Sequence, residues 1–204
     1  MINLNKLLNL FNPMIFNYYW KQYRLIRKLK GRLIISSWRL SFENDVNFHA
    51  ETDASITLGS KICLRSNTEI TACYGSYVLI GDNFFTNRNC TIVSRYGITI
   101  GSNCMFGNNV SVYDHDHILP YPDQTLNDNE YQGSSITIGN NVWLGANVFI
   151  GKGVVIGDNV IIGAGTVVTK SIPGNSVAYS TRELIVKPRS ISNERSPGYA
   201  MNLQ

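Results

Sequence analysis

The chain has 204 residues, a formal net charge of +4 and 44% hydrophobic residues. That balance fits one globular domain with appendages, and no uninterrupted apolar run reaches membrane-spanning length. Asparagines break up Leu7, Leu8, Leu10 and Phe11, and no small-residue cleavage site follows, so a secretory leader is not expected.

Residues 1–40 are of a different character from the rest. Lys6, Lys21, Arg24, Arg27, Lys28, Lys30, Arg32 and Arg39 are basic, and no acid precedes Glu43. Tyr19, Tyr23, Ile26, Leu29 and Leu33 recur at helical spacing, punctuated by Pro13 and Gly31. This predicts a helical segment with one of two roles. It either caps the end of the array that follows or lies, through residues 1–40, on an anionic membrane surface. The density of aromatic residues favours the cap.

From about residue 56 a six-residue period takes over. Leu58, Leu64 and Ile70 open the first sixes, then Ile80, Thr86 and Ile92, then Ile100, Phe106 and Val112. The pattern stops from Ile118 to Thr137 and returns in its cleanest form at Ile138, Leu144, Ile150, Ile156, Ile162 and Val168. In that last run Gly follows the opening aliphatic in five of six units, and Asn or Gly stands fourth in five. A period of six matches neither an α-helix nor a free strand. It matches a short strand and a corner, with the aliphatic turned inward and Asn or Gly taking the left-handed backbone. Three sixes make a triangular coil, and stacked coils make an all-β parallel β-helix. Five coils are expected, over 58–75, 80–97, 100–117, 138–155 and 156–173. The domain organisation expected is a cap over 1–55, the β-helix over 56–175 with a loop at 118–137, and a tail over 176–204.

The four cysteines, Cys63, Cys73, Cys90 and Cys104, match no zinc pattern. Cys90 and Cys104 fall at inward positions on different faces, so they read as buried apolar groups, in keeping with a reducing, cytoplasmic compartment. A long loop inside a compact repeat array is usually functional. This one carries Pro120, Pro122, Asp123, Asp128, Glu130 and Tyr131, and Asp114-His115-Asp116-His117 immediately precedes it. A neutral imidazole can take a proton from a hydroxyl near neutral pH. A closed metal site is not expected, because neighbouring strand residues face opposite ways and the remaining histidine, His49, precedes the repeat.

With these residues in view, the chain resembles the hexapeptide-repeat O-acetyltransferases of the left-handed β-helix class. It is similar in pattern to the galactoside and maltose acetyltransferases and to the sugar acetyltransferases of capsule and lipopolysaccharide clusters. The likeness runs from about Ile80 to Pro173, and loosely back to Leu58. It rests on Ile80-Gly-Asp-Asn-Phe-Phe-Thr-Asn-Arg-Asn, the His-containing corner before the loop, Ile138-Gly-Asn-Asn-Val-Trp-Leu-Gly and Gly163-Ala-Gly-Thr-Val-Val-Thr-Lys-Ser-Ile-Pro.

The resemblance implies acetyl-CoA as cosubstrate and His117 as general base on an acceptor hydroxyl. His115 and Asp116 are then acceptor-side residues, and Asn87, with Asn89 beside it, holds the acceptor sugar. The backbone N–H of Ala146 faces the thioester oxygen, Trp143 flanks the pantetheine arm, and Ala164, Thr169 and Lys170 line the remaining CoA groove. Arg182 and Lys187 are candidates for the 3′-phosphate. Galactoside-type relatives carry paired acids where this chain has Ser94 and Arg95, so a different acceptor is implied. The resemblance also implies a homotrimer with sites between prisms.

The leading expectation is therefore acetyl transfer to a sugar hydroxyl of a surface-polysaccharide precursor, in the cytoplasm or at the inner membrane surface. N-acyl transfer to an amino-sugar nucleotide, or acetyl transfer that inactivates an antibiotic, is the alternative. A carbonic-anhydrase-like metal protein is a remote third, and no nucleic-acid partner is expected.

Overall fold

The computed structural model describes residues 31–37, 39–118 and 130–181, together with Trp20, Tyr23 and Leu29. The first coil comprises β1 (Leu33–Ile35), β2 (Leu40–Phe42) and β3 (Asn47–Ala50). The second is β4 (Ser55–Leu58), β5 (Ile62–Leu64) and β6 (Glu69–Ala72), and the third β7 (Tyr77–Ile80), β8 (Phe85–Thr86) and β9 (Thr91–Ser94). The fourth is β10 (Ile98–Ile100), β11 (Met105–Phe106) and β12 (Ser111–Tyr113). A hairpin, β13 (His115–His117) and β14 (Tyr131–Gly133), then leaves the prism. The fifth coil is β15 (Ile136–Ile138), β16 (Trp143–Leu144) and β17 (Phe149–Ile150). The sixth is β18 (Val155–Ile156), β19 (Ile161–Ile162) and β20 (Val167–Val168), and β21 (Val177–Ala178) begins one more turn.

The strands stack into three parallel faces. The first face runs β1-β4-β7-β10-β15-β18, the second β2-β5-β8-β11-β16-β19-β21 and the third β3-β6-β9-β12-β17-β20. Each face has one strand per coil, so every coil buries its apolar residues against its neighbours. All the residues expected to open sixes are buried, from Leu58, Leu64 and Ile70 to Ile156, Ile162 and Val168. Thr86 is the polar member of that set. Its buried hydroxyl meets that of Thr68 at 3.0 Å, and Thr68 donates to the Arg65 carbonyl, so the pair brings no unsatisfied group into the core.

The corners follow the fourth-position rule. Asn141, Asn147 and Asn159 have φ of 56°, 58° and 58°, and Gly153 and Gly165 both have 72°. The corner asparagines also bond to each other between coils. Asn67 donates to Asn89, Asn89 to Asn109 and Asn109 to Asn147, at 3.1, 3.1 and 2.9 Å. Cys90 and Cys104 are buried, as expected, and burial raises both thiol pKa values.

The number of coils needs correction: among the described residues there are six, the first of them opening with the strand at Leu33. Leu33, read from its spacing as part of a helical stripe, pairs as a strand residue with Ile56. The inward residues that register with Leu58, Leu64 and Ile70 are Ile35, Phe42 and Phe48. Ile35 and Phe42 are seven apart and neither is followed by glycine, so the six-residue signal is absent. Stacking onto the second coil imposes the strands there. Glu43 ties the two coils through Arg65 and Ser66, and these contacts hold its carboxyl at about 2. Trp20 and Tyr23 are helical, and Leu29 is buried in the core cluster. The rest of the expected helix, the tail beyond Thr181 and most of the loop lie outside the described residues. No helix among the described residues is long and apolar enough to cross a membrane.

Candidate active site

The candidate residues border the third face. Asn87, Ala146 and Ala164 stand at its edge with the second face. Arg95, the β13–β14 hairpin, Lys152, Thr169 and Lys170 stand at its edge with the first.

Asp114 organises the hairpin edge. It is fully buried directly after β12, where the chain turns out of the prism. Its Oδ2 accepts the Ser94 hydroxyl at 2.9 Å and the N–H groups of Tyr96 and Gly97, both at 2.8 Å. Its Oδ1 accepts the Arg95 N–H at 2.8 Å and His115 Nδ1 at 2.9 Å. Burial alone pushes this carboxyl up, but the bonds from His115 and the three backbone N–H groups outweigh it, and the net shift is downward. A carboxylate that accepts from Nδ1 leaves Nε2 of a neutral His115 as the free acceptor.

The hairpin register sets His117 opposite Tyr131 and His115 opposite Gly133. Residues two apart on a strand share a face, so both imidazoles reach the Tyr131 ring, with centroids at 5.4 Å for His115 and 4.6 Å for His117. His115 also meets Tyr113 edge-on, and Tyr113 stacks on Phe149 of the coil beyond. The side chain of His115 is 9% exposed, whereas His117 is exposed. Asp116, on the other face of β13, pairs with Lys152 at 2.7 Å and pins the hairpin to the next coil. Arg95 completes the cluster, its guanidinium 3.4 Å from the Tyr131 ring centroid.

Gly133 permits this close packing. A Cβ there would collide with the Asp114 carbonyl oxygen and the Tyr96 ring. Sequence reasoning put His115 on the acceptor side without naming Asp114 as its anchor. The signal was the adjacency of a carboxylate and an imidazole where the repeat breaks. It also gave no role in the site to Tyr131 and Arg95, because their meeting depends on the hairpin folding back.

At the opposite edge, the Ala146 N–H has no acceptor among the described residues, while the Ala146 carbonyl accepts Gly165 N at 2.8 Å. Gly107 lies beneath it, and a Cβ there would stand 2.7 Å from Ala146 N. The Ala146 N–H is thus a donor without a protein acceptor among the described residues, the kind of group that can face a developing oxyanion. Asn87 turns its Oδ1 to the Arg88 N–H at 2.9 Å. Both ends of the Asn89 amide are committed to the corner ladder. Trp143 points outward from the second face at 51% exposure, and Ala164, Thr169 and Lys170 are exposed. Arg182 and Lys187 lie outside the described residues. His49 stands on β3, at the far end of the third face from the hairpin, 3.9 Å from Glu51. Among the described residues no group of three or more His, Cys, Asp or Glu is placed to hold a metal.

A six-coil prism with an imidazole-bearing hairpin at one edge and an orphaned corner N–H at another points to one class, and comparison with known proteins agrees. Residues 135–170 match the family described as bacterial transferase hexapeptide (six repeats), and residues 77–114 the hexapeptide repeat of succinyl-transferase. The chain is 32% identical to a maltose O-acetyltransferase from Clostridium difficile 630, with a TM-score of 0.52 over 86% of this chain and 79% of that one. It is 49% identical to the galactoside O-acetyltransferase of Escherichia coli (strain K12) over 105 residues, 52% of this chain and 51% of the relative. The match thus spans about half the length of that curated relative. AntD, an N-acyltransferase from Bacillus cereus, shares the fold at 16% identity, with a TM-score of 0.61 over 82% of this chain and 88% of that one. The chain belongs to the hexapeptide-repeat acetyltransferase family.

Proposed function

We propose that the protein is an acetyl-CoA-dependent O-acetyltransferase that modifies a sugar hydroxyl. The observation that carries this reading is the hairpin edge. There an exposed imidazole, His117, shares an aromatic contact with a second imidazole anchored by a buried carboxylate. In this reading His117 accepts the proton of the acceptor hydroxyl as that oxygen attacks the thioester carbonyl. The carbonyl oxygen gains charge facing the Ala146 N–H of a neighbouring copy, since the two groups stand at opposite edges of the third face of one chain, and the tetrahedral intermediate expels the CoA thiolate. The Asp114–His115 pair fixes the strand that carries the base. Trp143, Ala164, Thr169 and Lys170 are the residues of this chain that would hold CoA, and Asn87 would hold the acceptor. Surface-polysaccharide precursors are the natural substrate class for this family resemblance. The test is release of CoA thiol from acetyl-CoA in the presence of a panel of neutral and charged sugars and nucleotide sugars. No release with any acceptor would end the reading.

Gly133→Ala probes the hairpin alone. It should lower turnover by roughly 10–100-fold, because a displacement of about 1 Å at a reacting group has effects of that order. CoA affinity, measured by titration, should stay within about twofold. An equal loss in both would place the glycine's role in the fold and not in the site.

The same reading includes a homotrimer. An in-register column of apolar side chains, Cys63, Phe85, Met105, Trp143, Ile161 and Val177, runs up the outside of the second face. Met105, Trp143, Ile161 and Val177 are each 40% exposed or more. So long an apolar stripe on a monomer favours burial against another copy, and closed symmetry is the usual outcome. Ile161→Glu should then yield monomers in size-exclusion chromatography with light scattering, and activity should fall with the trimer fraction. An Ile161→Glu variant that keeps the native mass would remove this face as the contact.

A further inference from the structure

We infer that the acceptor carries a negative charge, an oxyanion on the sugar, and that Arg95 is the residue that recognises it. The inference rests on the acetyltransferase reading of the hairpin edge and names its substrate class. It starts from a cation that makes no ion pair among the described residues. Arg95 Nε is buried and has no hydrogen-bond partner. The guanidinium lies over the Tyr131 ring, and no carboxylate among the described residues pairs with it.

Among the described residues, the acids of the hairpin and its anchor are engaged elsewhere. Asp114 is saturated by bonds from Ser94, Arg95 N, Tyr96, Gly97 and His115, and spends its charge on backbone and imidazole. Asp116 is paired with Lys152. Glu130, beside Tyr131, is exposed and forms no ion pair with Arg95. Partial removal of a charge from water without a partner is unfavourable, so a guanidinium left this way is poised for a ligand.

Its position says which ligand. Arg95 and His117 both rest against Tyr131, so cation and base lie within reach of one sugar ring and its substituents. A ring that places a hydroxyl at His117 can place a carboxylate or phosphate at the planar fork of Arg95. An ammonium acceptor would meet this cation with repulsion, which disfavours N-acyl transfer to a protonated amino sugar.

The test uses the full chain, acetyl-CoA and matched acceptors: methyl galactoside against galacturonic acid, methyl glucoside against glucuronic acid, and galactose 1-phosphate as the phosphate arm. The wild type should favour one anionic member over its neutral partner. Arg95→Gln should cut that ratio of kcat/KM by roughly 10–100-fold, the span of a lost charge-assisted hydrogen-bond pair. Arg95→Lys, which keeps charge but loses the fork, should fall between. Which arm responds separates carboxylate from phosphate. A wild type that prefers every neutral member overturns the inference, as does an Arg95→Gln ratio equal to wild type. So does a matching loss of CoA affinity, since the arginine would then serve CoA. If no acceptor releases thiol, the acetyltransferase reading has failed independently. The inference is then judged by saturation-transfer NMR, where an anionic sugar held by wild type and lost in Arg95→Gln upholds it and equal signals overturn it.

Discussion

Replacing His117 by alanine is expected to lower kcat/KM by roughly 10²–10⁴-fold, the usual worth of a positioned general base, and to leave CoA binding nearly intact. The ring is exposed on β13, packs on Tyr131 and has no anchoring carboxylate among the described residues, so its removal leaves no unpaired buried group there. The loss should therefore appear in turnover and not in stability. His115→Ala is the comparison. Its side chain is 9% exposed and bonded to Asp114, so its loss should disturb the hairpin and reduce activity less steeply. Steady-state thiol release for both variants, with CoA titrations alongside, decides between them. Full activity in His117→Ala would refute its assignment as base. If the steep loss falls on His115→Ala instead, the proton acceptor is the Asp114–His115 pair.

The second large effect is expected from Asp114→Ala. Five donors converge on this carboxylate, and the residue is wholly buried. Its removal strands backbone N–H groups, the Ser94 hydroxyl and His115 Nδ1 in the interior. Breaking a buried charged network in this way typically costs about 3–5 kcal/mol. For a chain of this size that corresponds to a drop in thermal midpoint of roughly 6–20 °C. Calorimetry checks it, and a change under about 2 °C would mean that the corner holds itself.

The pH dependence has a definite sign. The folded pKa lies below the ordinary value of 3.8, so the stabilisation is complete above that value. It is lost as pH falls through the lower folded pKa. Acid unfolding of the wild type should thus be steeper below about pH 4 than that of Asp114→Ala, where the group is gone.

Much of the prism was legible in the residues themselves, because each six states its own geometry. An aliphatic first, a glycine second and an asparagine fourth demand an inward side chain and a left-handed corner, and Asn141, Asn147 and Asn159 adopt it. The interruption expected at 118–137 likewise placed chain outside the stack, but the chain leaves the prism earlier, after Tyr113, because His115–His117 pair with Tyr131–Gly133 in a hairpin and not with the neighbouring coils.

What the sequence by itself determined, then, was whatever lies within one short repeat: the period, the inward positions, the corners and the place of the interruption. What only the tertiary structure decided depends on residues brought together from different coils. The first coil has no readable period, and Ile35, Phe42 and Phe48 become inward residues only because the second coil is there to stack on. Asp114 gathers the corner Ser94–Gly97 from the coil below, and Arg95 meets Tyr131 from across the hairpin. Local backbone preference acts over a few residues and can be read from their order. A charge's burial and its partners depend on the packed whole, which no stretch of six residues encodes.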